Sequence, residues 1–273
     1  MVQAGTMRAL VLFLLAVTAC SKPPALLTEA RQVELLRTLQ REVARSVEAE
    51  KSAVLAVTDE ESERYAKESR EAAAQVERAR VELRALISGD ELAKLDAFDA
   101  AWAKVAQIDA TLLPLAVANT NLKAAKLSEG KAAKILQLLV GALTAAQAKS
   151  TDPVRLRALS EASVAALWIQ TLHAPHIAAP EPEVMASLEA RIAALEAQVD
   201  RVLAAKPPLS PEADAAWKDY QEVTKKILAL SRANTNVISF SMSVHEKHDA
   251  SLACDAALTE LASAIHRRHW PTR

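Results

Sequence analysis

Apolar residues recur every three or four positions almost without interruption from residue 27 onward, the period of an amphipathic helix, and no stretch shows the strict alternation of a half-buried strand. Strong breakers interrupt this period at "ISGDE" around Gly89, "KSTDP" around Pro153 and "AKPPLSP" around Pro207. They predict four long helical segments, 27–87, 91–149, 153–205 and 211–268. Unbroken, each would run roughly 80–90 Å at the helical rise. Thr151 or Asp152 ahead of Pro153, and Ser210 ahead of Pro211, fit N-caps followed by proline at the first helical position. Short links between long helices imply antiparallel neighbours. The first and third segments each contain a weak point. In "AVTDEESE", Thr58 is placed to cap a restarted helix with Glu61 three residues on, and "LHAPHIAAPEPEV" holds three prolines.

The second and fourth segments repeat one another. An offset of 115 residues carries "DAAW" at Asp99–Trp102 onto Asp214–Trp217, and "ANTN" at Ala118–Asn121 onto Ala233–Asn236, without a gap. Such self-similarity marks a duplicated unit. Ile108, Leu112, Leu115, Asn119 and Leu122 form a seam with alternating steps of four and three, as do Val223, Ile227, Leu230, Asn234 and Val237, so each seam includes an asparagine. The expected fold is all-α: an elongated up-down-up-down four-helix bundle over 27–268, built from two duplicated helical hairpins, 27–149 and 153–268, with a short tail at 269–273.

Composition supports helices over sheets: 273 residues contain only four glycines and 3% aromatics. The formal charge is −1 with both signs interspersed, which excludes the basic footprint of a nucleic-acid binder. The charge-rich stretch "ESERYAKESREAAAQVERARVELRAL" reads as a solvated helix face laced with i,i+4 pairs.

Arg8 precedes the apolar run "ALVLFLLAVTA", far short of a membrane span and suited to a targeting segment. It ends in Val17, Thr18, Ala19 and Cys20, which resemble position by position the lipobox of bacterial lipoprotein signal peptides. The resemblance implies a signal peptide over 1–19, a diacylglyceryl group on Cys20 with an acyl chain such as palmitate on the new amine, and a lipidated tether over 20–26. Two or more chains anchor stably. The protein is therefore expected on a bacterial membrane, facing the periplasm, with Ser21 after the cysteine favouring the outer membrane. Lipidation would leave Cys254 without a disulfide partner, on an apolar helical face where a thiol acts as a small hydrophobe.

The stretches "AVLAVTDEESERYAKESREAAAQVERARVELRALI", "LDAFDAAWAKVAQIDATLLPLA" and "ANTNLKAAKLSEGKA" resemble the extracytoplasmic four-helix-bundle sensory module of methyl-accepting chemotaxis receptors. The resemblance implies a periplasmic sensor that binds a small molecule between helices and relays a small helix displacement. Such modules pair side by side, which admits a homodimer. No second span or signalling domain follows "LASAIHRRHWPTR", so the signal is expected to pass to a separate protein partner. Against this stands a structural or interaction spacer with no small-molecule ligand.

Candidate sites are few. Asn119, Asn121, Asn234 and Asn236 admit two readings: they bond backbone groups released where a facing helix breaks, or they face a cavity and hold a ligand. All six histidines lie in the second half of the chain. Pairing the third and fourth segments about Pro207 sets His173 near position 243. The pairs His173/His176 and His245/His248 would then lie at one height, where they could supply a metal ion or a b-type haem, although Pro175 disturbs the phase of the first pair. Otherwise they are chance neighbours and no cofactor is implied. No CxxCH, glycine-rich phosphate loop, GxSxG or HExxH occurs, and the paired carboxylates lie on solvated faces, so no catalytic residue is assigned and no enzymatic activity is expected.

Overall fold

A computed structural model describes residues 25–269 apart from residue 207; the signal segment, Cys20, most of the tether and residues 270–273 lie outside the described residues. Every regular element among them is helical. In chain order these are α1 (Ala25–Leu55), α2 (Asp59–Arg84), α3 (Asp90–Ala118), α4 (Thr120–Lys126), a π-helical turn (Leu127–Ala132), α5 (Ala133–Lys149), α6 (Pro153–Ala178), α7 (Pro182–Leu203), α8 (Pro211–Ala233), α9 (Thr235–Met242), a second π turn (Ser243–Lys247) and α10 (His248–His269). The expected caps are present: Thr58 Oγ1 accepts from the Glu61 amide at 3.1 Å, Asp152 Oδ1 from Val154 at 3.0 Å and Ser210 Oγ from Ala213 at 3.3 Å.

The all-α bundle is as expected, and the two internal weak points turn out to be full chain reversals. Residues 56–58 fold α2 back antiparallel on α1, with Ser46 and Ser69 bonded Oγ to Oγ at 3.2 Å and the Ser62 hydroxyl donating to the Ala53 carbonyl. Small residues at this seam (Ser46, Ala53, Ser62, Ala66, Ser69, Ala72) let the two backbones approach closely. Residues 179–181 likewise fold α7 back on α6. Extended backbone at Ala179 and Glu181, on either side of Pro180 and ahead of Pro182, stops one helix and starts the next.

Two four-helix cores result, sharing the two duplicated long segments. In the first half, Leu39 and Val43 of α1, Val76 and Leu83 of α2, Phe98 and Trp102 of α3, and Leu258 and Leu261 of α10 pack together. In the second, Leu139 and Leu143 of α5, Leu159 and Ile169 of α6, Ile192 and Val199 of α7, and Trp217, Tyr220 and Ile227 of α8 do the same. The segments α3–α5 and α8–α10 run antiparallel through both halves, and each brings one hairpin onto each end.

The repeated "DAAW" tryptophans now have a shared role. Each is 3% exposed, and its indole N–H donates to a carboxylate on the facing hairpin: Trp102 to Glu77 at 2.8 Å and Trp217 to Asp200 at 2.6 Å. An apolar ring with a satisfied donor locks each long helix to its hairpin.

Candidate functional site at the helix crossing

The repeated "ANTN" lies where the two long segments cross. Asn119 (φ 50°) and Asn234 (φ 51°) adopt the left-handed conformation that asparagine tolerates better than other side-chain-bearing residues, and each ends one helix and begins the next without a loop. The amides at the start of α4 and α9 are capped across the crossing. The Thr120 amide donates to Thr235 Oγ1 at 3.1 Å, and the Thr235 amide to Thr120 Oγ1 at 3.1 Å. The Asn121 amide donates to Asn236 Oδ1 at 3.1 Å, and the Asn236 amide to Asn121 Oδ1 at 3.2 Å. Each copy of the motif therefore caps the helix that the other copy begins, and this reciprocity relates the two halves by a local two-fold.

The remaining amide groups reach the hairpin tips. Asn121 Nδ2 donates to the Ile177 carbonyl at 2.7 Å and to Asn234 Oδ1 at 2.8 Å, and Asn234 Nδ2 to the Ala179 carbonyl at 3.2 Å. Asn119 Nδ2 donates to Asp59 Oδ1 at 3.1 Å and its Oδ1 accepts from Asn236 Nδ2 at 2.9 Å. Lys123 Nζ caps the last α3 carbonyl, at Ala118, at 2.8 Å. The four asparagines are thus engaged with one another and with backbone freed at the breaks, so a ligand entering here would exchange bonds with this network.

The histidines are not gathered. Because α6 reverses into α7, His173 is not level with position 243. Its Nδ1 and the Ser128 hydroxyl of the first π turn are bonded at 3.0 Å, and its ring stacks on Tyr220 with centroids 6.2 Å apart. His176, also fully buried despite Pro175, bonds Ser231 Oγ through Nδ1 (2.7 Å) and Glu189 Oε1 through Nε2 (3.0 Å). His245 and His248 are exposed in the other half-bundle. Among the described residues no group of three or more His, Cys, Asp or Glu side chains is arranged to hold a metal ion, so the four-imidazole set expected for metal or b-type haem is not assembled.

Each half instead carries a buried polar group, set on equivalent positions. In the second half Gln170 Nε2 donates to the Ser128 carbonyl (3.0 Å) and hydroxyl (3.1 Å), and Tyr220 donates to Gln170 Oε1 at 3.1 Å. His173 Nε2 and Thr224 Oγ1 remain without partners. Burial, with the neighbouring His176, pushes the His173 imidazole down to about 4. A histidine held neutral in the folded state and titrating near 6.5 when unfolded stabilises fully above 6.5, and that contribution is lost as pH falls toward 4. Acidification across this window is expected to remove about 3 kcal/mol, and His173→Asn should flatten that part of a pH-resolved urea titration. In the first half the equivalent positions hold Glu50, Asp109, Ser243 and Lys247, three of them charged and none marked out by a sequence motif. The signal was available in the periodicity, because Glu50 follows Leu39, Val43 and Ser46 on one stripe, and Lys247 precedes Ala250, Cys254 and Leu258 on another.

The chain is thus an all-α protein of the helical-bundle class, with two bundles sharing a pair of interrupted helices. No family model and no curated protein matches it. Among solved structures it is similar to the sensor domain of the histidine kinase sensor TorS of V. parahaemolyticus, with a TM-score of 0.62 and 13% identity over 86% of this chain and 98% of that one. At that identity the likeness is one of fold. The fold shared is that of a histidine kinase sensor domain and not of the chemotaxis-receptor module in particular.

Proposed function

We propose that this protein is a sensory or ligand-binding module, held on a bacterial membrane through Cys20 with its bundles in the periplasm, which passes its signal to a separate protein partner and performs no catalysis. The observation that carries this reading is the reciprocal crossing. Two long helices are interrupted at the same level by left-handed asparagines and tied there by exchanged caps, so a displacement of either hairpin reaches the other half through shared helices. The fold likeness to a kinase sensor domain agrees with it, as does the amphipathic periplasmic bundle implied by the sequence resemblance. The saturated asparagine network favours one competing reading, a rigid spacer with no small-molecule ligand.

A thermal-shift screen of the protein against organic acids, aromatic compounds and divalent metals separates the two, since a ligand bound to the native state raises the apparent melting temperature by mass action. A concentration-dependent rise with one chemical class is the expected result. No rise across the panel would overturn the ligand-binding reading in favour of the spacer.

A further inference from the structure

A carboxylate stands at a core position of α1. Glu50 is completely buried, and no donor meets either of its oxygens in hydrogen-bond geometry, although the Ser243 hydroxyl faces it. Across the core the π turn, which shifts the helical phase, carries Lys247 to the buried face, where its ammonium donates to Asp109 Oδ2 on α3. Lys247 is completely buried, the Asp109 side chain is 12% exposed, and Asp109 Oδ1 is also unpartnered. From α2, the register set by Ser46–Ser69 and Ser62–Ala53 brings Tyr65 and Ala66 level with Glu50, and no charged side chain. On α1 itself Lys51 is exposed and pulls only weakly. Cys254 of α10 also lies near Lys247, and burial pushes its thiol up to about 12.

With all three charged groups ionised, this interior carries one net negative charge, and protonating one carboxylate makes it neutral. The ligand that completes the set without any added volume is a proton. We propose that Glu50, Asp109 and Lys247 form a buried proton-binding site, and that proton occupancy of Glu50 sets the stability of the first half-bundle. Burial favours the neutral Glu50 carboxyl, raising its affinity for the proton against the opposing pull of Ser243 and Lys247. An acid whose folded pKa lies above its unfolded value binds the proton more tightly when folded, so stability falls as pH rises from the unfolded toward the folded value. The site is wired to the crossing on two sides. Ser243 directly follows α9, whose N-terminal cap is Asn234, and the Ser62 hydroxyl links the Ala53 carbonyl, one turn beyond Glu50, to the Ala116 carbonyl of α3 at 2.9 Å. The second half offers the contrast. There His173, Thr224, Ser128 and Ala132 occupy the equivalent places, so the duplicated frame closes without a charged set. This inference does not depend on the sensory reading and stands whether or not a small molecule binds.

The test follows the purified full-length protein and its Glu50→Gln variant through a pH series by infrared spectroscopy and thermal unfolding. A protonated-carboxyl band that persists above the pH where solvated carboxylates lose theirs, and that vanishes in Glu50→Gln, is expected. The melting temperature of the wild type should fall relative to the variant by about 5 °C as pH rises through the titration; His173 is common to both proteins and cancels in the difference. A band unaffected by Glu50→Gln, or parallel melting curves, would overturn the proposal. Should that variant fail to fold, Glu50→Met supports the same comparison.

Discussion

Lys247→Met is expected to cause a large loss of stability in the first half-bundle. The substitution keeps the side chain's length and apolar stem but removes the buried cation that faces Glu50 and Asp109 across the core. Taking one partner from a buried ion pair costs about 3–5 kcal/mol, because the remaining charge is neither paired nor hydrated. For a chain of this size that corresponds to roughly 10 °C in melting temperature. The sign of the pH dependence follows from the same groups. Burial already raises both carboxyls, and losing Lys247 removes the positive charge that lowers each of them, so the deficit should grow as pH rises and shrink as it falls. Calorimetry at several pH values measures this, and Lys247→Met with Asp109→Asn should recover most of the loss. A deficit below about 1 kcal/mol, the range of solvent-exposed pairs, would show that the pair is effectively solvated.

The second large effect belongs to the crossing. Asn121→Ala removes the donor to the Ile177 carbonyl and Asn234 Oδ1, and the acceptor for the Asn236 amide. Each buried group left without a partner costs about 1–3 kcal/mol, so a loss of roughly 3 kcal/mol is expected in urea unfolding. The reciprocal geometry adds a sharper expectation. Asn121 and Asn236 cap each other's backbone amide through two separate bonds, so a loss in Asn121→Ala with Asn236→Ala that is smaller than the sum of the single losses would show that the crossing opens as one unit once either cap is gone. Additive losses would mean that the two caps act independently and that the halves are not coupled at this point.

Much of this was written in the primary structure. The gap-free offset of 115 residues between the two "DAAW…ANTN" stretches required a duplicated unit, and the 3.6-residue period required helices. The caps at Thr58, Asp152 and Ser210 were legible because one side chain and one nearby amide make them. The reversals at 56–58 and 179–181 were not. A kinked helix and a tight helical hairpin share the same local text of breaker and cap, and the choice is made by residues farther along the chain, here the small residues that let α2 approach α1. The misplacement of His173 followed directly, since reading α6 and α7 as one rod puts its imidazole in the wrong half.

The buried charges failed to stand out for a related reason. Glu50 and Lys247 each sit among ordinary helix formers, and only the packing of α1, α3 and the π turn turns two unremarked charges into one enclosed set with Asp109. What the chain determined alone are the properties that nearest neighbours along a helix decide, period and capping, whereas the left-handed breaks at Asn119 and Asn234 inside segments read as continuous emerged only with the crossing. What the tertiary structure decided is which helix faces which, because that choice rests on burial and on hydrogen bonds between residues more than a hundred positions apart, and nothing local encodes it.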